Sequence, residues 1–298
     1  MSVLLLTCCS GGKEKGSEGK ASDTIPFELP LPVIPDSIDN VQGKIGYAAD
    51  HFWDLMDFRD TLRSLDDAFM EQNFANFALI LSELDEPESR RKAAGIFLTK
   101  ASADKRSLTK AKDVARLYLA DPNSPMRSEE VWIDFLEVLI SSDKLADDTE
   151  KLRLSYELGL REINRPGMEA EDFEYVTRSG TNKTLLRTEP GEQGLIVVFY
   201  DPECDHCKEI IGGMSADTAL KEAIADGMLT VLAIDVAGDR KLWDESAGNI
   251  PADWIDGFNT DDLREREAYW LPALPSIYVL DTDKTVILKD ADLKSITL

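Results

Sequence analysis

The sequence predicts two domains of different class: an all-α helical bundle, then an α/β domain with a mixed sheet flanked by helices. Three observations carry this reading. Apolar residues recur at helical spacing between Gly43 and Ile163. After Arg165-Pro166-Gly167 the texture changes to β-branched apolar runs such as Leu195-Ile196-Val197-Val198-Phe199-Tyr200. That run leads through Asp201-Pro202-Glu203 into Cys204-Asp205-His206-Cys207, a CxxC where a strand gives way to a potential helix. A length of 298 residues suits two modest domains, and 43% hydrophobic content with 11 Phe, 7 Tyr and 5 Trp suffices for packed cores.

Charge narrows the function classes. With 33 Lys plus Arg against 57 Asp plus Glu, the formal charge is -24 and no basic stripe is present. Such a surface repels nucleic acid and anionic lipid headgroups, so neither is an expected partner. No apolar run beyond the first residues is long enough to cross a bilayer, so any membrane tie must come from the N-terminus.

Residues 1–9 read as an anchor. Val3-Leu4-Leu5-Leu6-Thr7 runs into Cys8-Cys9-Ser10-Gly11-Gly12, and the chain then turns polar through Lys20. This order resembles the end of a bacterial lipoprotein signal peptide, although the apolar segment is short and no Lys or Arg precedes it. The resemblance implies Cys9 as the lipidated residue, with Cys8 as the alternative, and places the protein in the cell envelope, facing the periplasm or the cell surface. Residues 10–36 then read as a Gly, Ser, Lys and Glu rich tether followed by a strap, Phe27-Glu28-Leu29-Pro30-Leu31-Pro32-Val33-Ile34-Pro35, extended against the first domain.

Residues 37–165 form the helical domain. Ile45, Ala48, Ala49, Phe52, Trp53 and Met56 make one stripe and predict a helix from Gly43 to Phe58. A second runs from Asp67 to Leu84, and Pro87 starts another. Further amphipathic windows contain Ala93 to Ala101, Leu108 to Tyr118, and Val131 to Leu139 behind a Ser128 cap, with a last helix from about Ala146 to Ile163. Short connections imply about six helices packed roughly antiparallel. His51, beside Phe52 and Trp53, reads as a structural residue.

Residues 166–298 form the α/β domain. A short strand and turn occupy the region from Ala170 to Leu185, and Leu195 to Tyr200 has the continuous apolar character of a strand buried on both faces. Cys207-Lys208-Glu209-Ile210-Ile211 can open a helix, whose free N–H groups and partial positive charge favour a thiolate at Cys204. At this spacing one sulfur can attack a substrate disulfide and the other can release it. A second apolar strand covers Thr230 to Asp235, and the stretch from Val236 to Pro272 reads as an insertion carrying Trp243, Trp254, Phe258, Tyr269 and Trp270. Trp254 and Trp270 are candidates for a client groove beside the cysteines. Tetrahedral zinc needs about four ligands, and Cys8, Cys9, His51 and His206 do not complete such a set with the CxxC, so no metal and no cofactor are expected.

With Leu274-Pro275-Ser276-Ile277-Tyr278-Val279-Leu280 downstream, the order strand, CxxC, helix, strand, proline strand resembles the thioredoxin superfamily, in its membrane-anchored extracytoplasmic branch. The resemblance implies that Cys204 and Cys207 are catalytic and that Pro275 is a cis-proline facing them. It also implies that the backbone at Leu274 pairs with substrate. His206 is implied to support the thiolate, while Asp201, Glu203 and Asp205 oppose it, which leaves the direction of transfer open, with reduction or isomerisation preferred to oxidation. Two positions depart from the family: Val198 replaces its buried acid, and Glu203 replaces its tryptophan before the first cysteine. The helical domain resembles one of unknown function found ahead of thioredoxin-like domains in bacterial lipoproteins. The expected activity is thiol–disulfide exchange on cysteine-containing protein clients, fed by an upstream thiol electron donor. The alternative is a non-catalytic lipoprotein adaptor with a structural Cys204-Cys207 disulfide.

Overall fold

Leu29 is the point at which the chain enters the fold in the computed structural model, which describes residues 27–291 and 293–296. The anchor read at residues 1–9, with Cys8 and Cys9, and most of the tether lie outside the described residues. Asn73, fully buried, accepts from the Leu29 N–H at 2.7 Å and donates to the carbonyls of Phe27 and Phe69 at 2.9 and 2.8 Å. Leu29 is buried there, whereas Leu31 and Val33 are exposed, so the strap is held at one point.

The helical part contains α1 (Val41–His51), α2 (Thr61–Ser64), α3 (Asp67–Ser82), α4 (Pro87–Ala101), α5 (Lys105–Leu119), α6 (Glu129–Ile140) and α7 (Asp148–Glu162). Side-chain oxygens of Asn40, Asp66, Asp104, Ser128 and Asp147 accept from first-turn N–H groups, and Pro87 fills the first position of α4. One expected boundary moves. The helix predicted to reach Phe58 stops at His51, because Phe52, Trp53, Met56 and Phe58 are all buried and one helical stripe cannot point all four inward. Turns instead wrap them around Phe77 and Phe97. Arg90 ties α4 to the buried Asp134 of α6 at 2.5 Å.

The second part contains β1 (Glu174–Thr177), β2 (Asn182–Thr184), β3 (Gly194–Tyr200), α8 (Asp205–Ala216), α9 (Thr218–Ala225), β4 (Leu229–Asp235), α10 (Arg240–Glu245), β5 (Ile255–Asn259), β6 (Ser276–Leu280), β7 (Val286–Leu288) and α11 (Leu293–Ile296). The strands form one mixed sheet in the order β2-β1-β5-β4-β3-β6-β7. β3, β4 and β5 run parallel, while β6 is antiparallel to β3. Every residue of β3 is buried, as its uninterrupted apolar run implied. Alternation along the central strands makes two cores, one around Phe173, Phe199 and Tyr278, the other between the sheet and α8, α9 and α10. The fold is thus a helical domain followed by a thioredoxin-like mixed sheet with flanking helices. Among the described residues no helix is long and apolar enough to cross a membrane.

Candidate thiol–disulfide site

β3 ends against a tight turn in which Asp201 accepts from the N–H of Glu203 through its side chain and from that of Cys204 through its carbonyl. The turn delivers Cys204 to the N-cap of α8, where its sulfur accepts the Cys207 N–H at 3.1 Å. A cap bond of this kind, at the positive end of a helix, stabilises an anionic sulfur. On the other side the Cys204 thiol donates to the Leu274 carbonyl at 3.7 Å, and the Leu274-Pro275 bond is cis. The loop before β6 and the start of α8, 70 residues apart, therefore meet at this sulfur.

The two cysteines are thiols in unlike surroundings. Cys204 is half-buried, whereas Cys207 is 1% exposed among Ile211, Met214 and Trp254. Burial, with the neighbouring Cys204 sulfur second, pushes the Cys207 thiol up to about 12. A cavity of about 250 Å³ borders Cys207 on the side of Tyr200, Asp201, Ile211, Asn249 and Ile250. A larger one of about 790 Å³ lies in the helical part, between α5, α6 and α7, away from the cysteines. On its walls Lys112 pairs with Glu150 and Arg116 with Glu157.

The remaining sequence candidates are placed as follows. His206 is 65% exposed at its side chain and lies 3.6 Å from Glu209; the bond to the Cys204 sulfur comes from the Cys207 N–H instead. Asp205 pairs with Lys208 at 3.0 Å. Trp254 is buried in the same core cluster as Cys207 and so is not an exposed groove wall. Trp270 lies under the Arg161 guanidinium of α7, 5.2 Å from ring centre to Cζ. Val198 is fully buried and apolar on the face turned to Cys207. Among the described residues no group of three or more His, Cys, Asp and Glu is arranged to hold a metal ion.

A carboxylate that the sequence reading passed over lies on the same face. Val231 and Ala233 of β4 line the core under α8, and alternation puts Asp235 with them. Asp235 is 1% exposed and opposite Tyr200 in the register, one residue before the turn that carries Cys204. Its Oδ1 accepts the N–H of Ala237 at 2.9 Å, and its Oδ2 is buried without a hydrogen-bond partner. Burial raises its carboxyl to about 6, and the charges of Asp201 and Asp256 act in the same direction. The nearby Asp256 is satisfied, by Tyr200 and Trp243 at 3.0 and 2.9 Å and by Arg178 at 2.6 Å. The sequence signal was a lone acid closing an otherwise apolar strand.

No curated protein matches the chain. Among solved structures, a thioredoxin-like protein from Bacteroides caccae is 30% identical with a TM-score of 0.82, the match covering 90% of this chain and 96% of that one. A conserved protein of unknown function from Bacteroides fragilis is 37% identical, covering 44% of this chain and 94% of its own with a TM-score of 0.42. The thioredoxin domain of a thiol-disulfide oxidoreductase from Bacteroides vulgatus is 15% identical, covering 44% and 92% with a TM-score of 0.39. The family model described as Domain of unknown function (DUF5106) matches residues 8–164. Because that match takes in more than half of the 298 residues, and the near full-length likeness joins it to a thioredoxin-like sheet, the chain belongs to the DUF5106 family and is a thioredoxin-like protein.

Proposed function

We propose that the protein carries out thiol–disulfide exchange on cysteine-containing protein clients, through its domain at residues 166–298. The observation that supports this most directly is the half-buried Cys204 at the N-cap of α8, held between the Cys207 N–H at 3.1 Å and the Leu274 carbonyl at 3.7 Å. As a thiolate, Cys204 attacks one sulfur of a client disulfide, forming a mixed disulfide and releasing the other client sulfur as a thiolate that takes up a proton. Cys207 then gives its proton to a base and attacks the Cys204 sulfur. The intramolecular disulfide forms and the client leaves as its second thiol. An upstream thiol donor returns the pair to the dithiol with two electrons and two protons.

Asp235, on the same face of the sheet as the core that holds Cys207, is the proposed proton acceptor for Cys207, through intervening water. It is the buried carboxylate of that face with an oxygen left over, and burial tunes it to about 6. The proposed direction is reduction or isomerisation rather than oxidation, the setting of Cys204 being rich in carboxylates from Asp201, Glu203, Asp205 and Glu209. The reduction potential should accordingly fall between about -270 and -180 mV, and a value near -120 mV would reverse the proposed direction. A potential below about -300 mV marks a structural disulfide and the adaptor reading. Cell-envelope placement through a lipid on Cys9 is part of the proposal; labelling with a palmitate analogue, lost in Cys9→Ser, tests it.

The chemistry itself is tested by Cys207→Ser. The variant should accumulate mixed disulfides on Cys204 that reducing agent dissolves, and Cys204→Ser should accumulate none. If Cys207→Ser traps no client and the wild type neither reduces nor oxidises a model substrate, the enzyme reading is wrong.

A further inference from the structure

The Leu274 carbonyl reaches Cys204 from a loop, numbered 260–275, that contains no helix or strand. A group placed by such a loop needs support from its surroundings if it is to meet a reacting atom within a few tenths of an ångström. Part of that support is local: Tyr269 donates to the Glu171 carbonyl at 2.7 Å, and Arg266 to the Asp172 carbonyl at 3.0 Å. The rest comes from the helical domain, and it falls on both sides of the cis-proline.

Upstream, the hydroxyl of Tyr156 on α7 donates to the carboxylate of Glu267. Just past the end of α7, Asn164 donates to the Ala268 carbonyl at 2.8 Å, and its own carbonyl oxygen takes the Glu171 N–H at the same distance. Arg161 covers the Trp270 ring while its other side pairs with Glu157 at 3.0 Å. Downstream, Ser276 directly follows Pro275, and its hydroxyl donates to Asp290 Oδ1 at 3.0 Å. The other oxygen of Asp290 is held by the Arg127 guanidinium, which precedes α6. Beside it, Lys289 donates to the carbonyls of Arg161 and Ile163 at 2.6 and 2.8 Å, closing the bridge to α7. Arg161, Asn164 and Ser276 are all buried.

We infer that the helical domain is the positioning element of the client-binding loop: Arg161 and Asn164 fix its approach, and Arg127, acting through Asp290 and Ser276, fixes its exit. None of the three touches a reacting sulfur; they are positioning residues. The inference rests on the exchange reading of Cys204 and Cys207, and it assigns a task to the helical domain in that reaction. On that reading an extended client would pair with the backbone beside Cys204, at Leu274, so loop position matters for peptides. A small disulfide needs only the Cys204 sulfur.

The test uses the full chain with Arg127→Met, Arg127→Lys and Ser276→Ala, each assayed on a disulfide-bonded peptide and on a small aromatic disulfide. For Arg127→Met and Ser276→Ala the peptide KM should rise by roughly 5- to 20-fold with kcat nearly kept, a change expected when positioning and not chemistry is lost. The rate with the small disulfide should stay within about twofold, and Arg127→Lys should restore part of the peptide KM. Amide hydrogen exchange should quicken across residues 268–278 and stay unchanged in α8. Peptide kinetics and exchange equal to wild type in both variants overturn the inference, as does a parallel fall with both substrates. Ser276→Ala removes a single hydroxyl and carries the test if Arg127→Met does not fold. If the wild type reacts with neither disulfide, the exchange reading fails; the exchange pattern at 268–278 still decides whether the helical domain positions the loop.

Discussion

Burial pushes the Cys207 thiol up to about 12, so if Cys207 resolves a mixed disulfide as proposed, a nearby base favours the loss of its proton. Asp235 faces Tyr200, Asp201 and Asp256 as well as the core beneath Cys207, and the cation of that region, Arg178, is already taken by Asp256. Its carboxyl therefore sits at about 6 in the folded protein against an ordinary 3.8. The folded state then holds a proton more tightly than the unfolded chain, so the stability this group contributes is present below about pH 4 and is lost as the pH rises through 6. Asp235→Asn keeps an acceptor for Ala237 and removes that loss. It should match the wild type in thermal stability near pH 4 and exceed it at pH 7, by up to about 3 kcal/mol. The same variant should form mixed disulfides at the wild-type rate and release them more slowly, on the order of 10- to 100-fold. Stopped-flow measurement of client release across pH 5 to 8 checks this, and a release rate equal to wild type would remove Asp235 from the mechanism.

At the scale of elements, the strap and the strands differ in how far local sequence decides them. Asn73 satisfies one N–H and two carbonyls at buried distances, so Asn73→Ala leaves those groups unpaired and should cost about 2 to 3 kcal/mol. A lower urea midpoint with faster proteolysis near residues 27–35 is the expected readout. The helices were legible because capping residues and apolar stripes coincide, as with Ser128 ahead of Val131, Trp132 and Phe135. β3 was legible because apolar run, turn and CxxC agree, whereas the cis bond at Pro275 was implied only by the resemblance to the thioredoxin superfamily. β5 was not legible, because Ile255-Asp256-Gly257-Phe258-Asn259 has neither alternation nor an apolar run. Its glycine exists for tertiary reasons, since a Cβ on Gly257 would lie 2.6 Å from the Tyr175 ring. Asp235 was hidden likewise, because its importance comes from Val198 being apolar across the sheet and from an oxygen with no partner.

For the molecule as a whole, the junction between the helical part and the sheet is polar and buried, and Lys289 shows what that costs. Burial lowers its amine to about 8, against an ordinary 10.5, although Glu129 opposes the shift. Folding therefore favours the neutral amine, and between about pH 8 and 10.5 the wild type should gain stability as pH rises. Relative to Lys289→Met, whose stability has no such contribution, the gain should appear only in that window; melting curves at pH 7, 8, 9 and 10 measure it, and a flat difference would show that the amine stays charged. The point fixation of Leu29 by Asn73 has a different, geometric consequence. If Cys9 carries a lipid, the distance from that lipid to Leu29 is bounded by the length of the chain between them, about 20 residues, which fully extended reach at most about 70 Å. The helical part would then be confined to a shell of that depth above the membrane, and only clients whose disulfides enter this shell could meet Cys204.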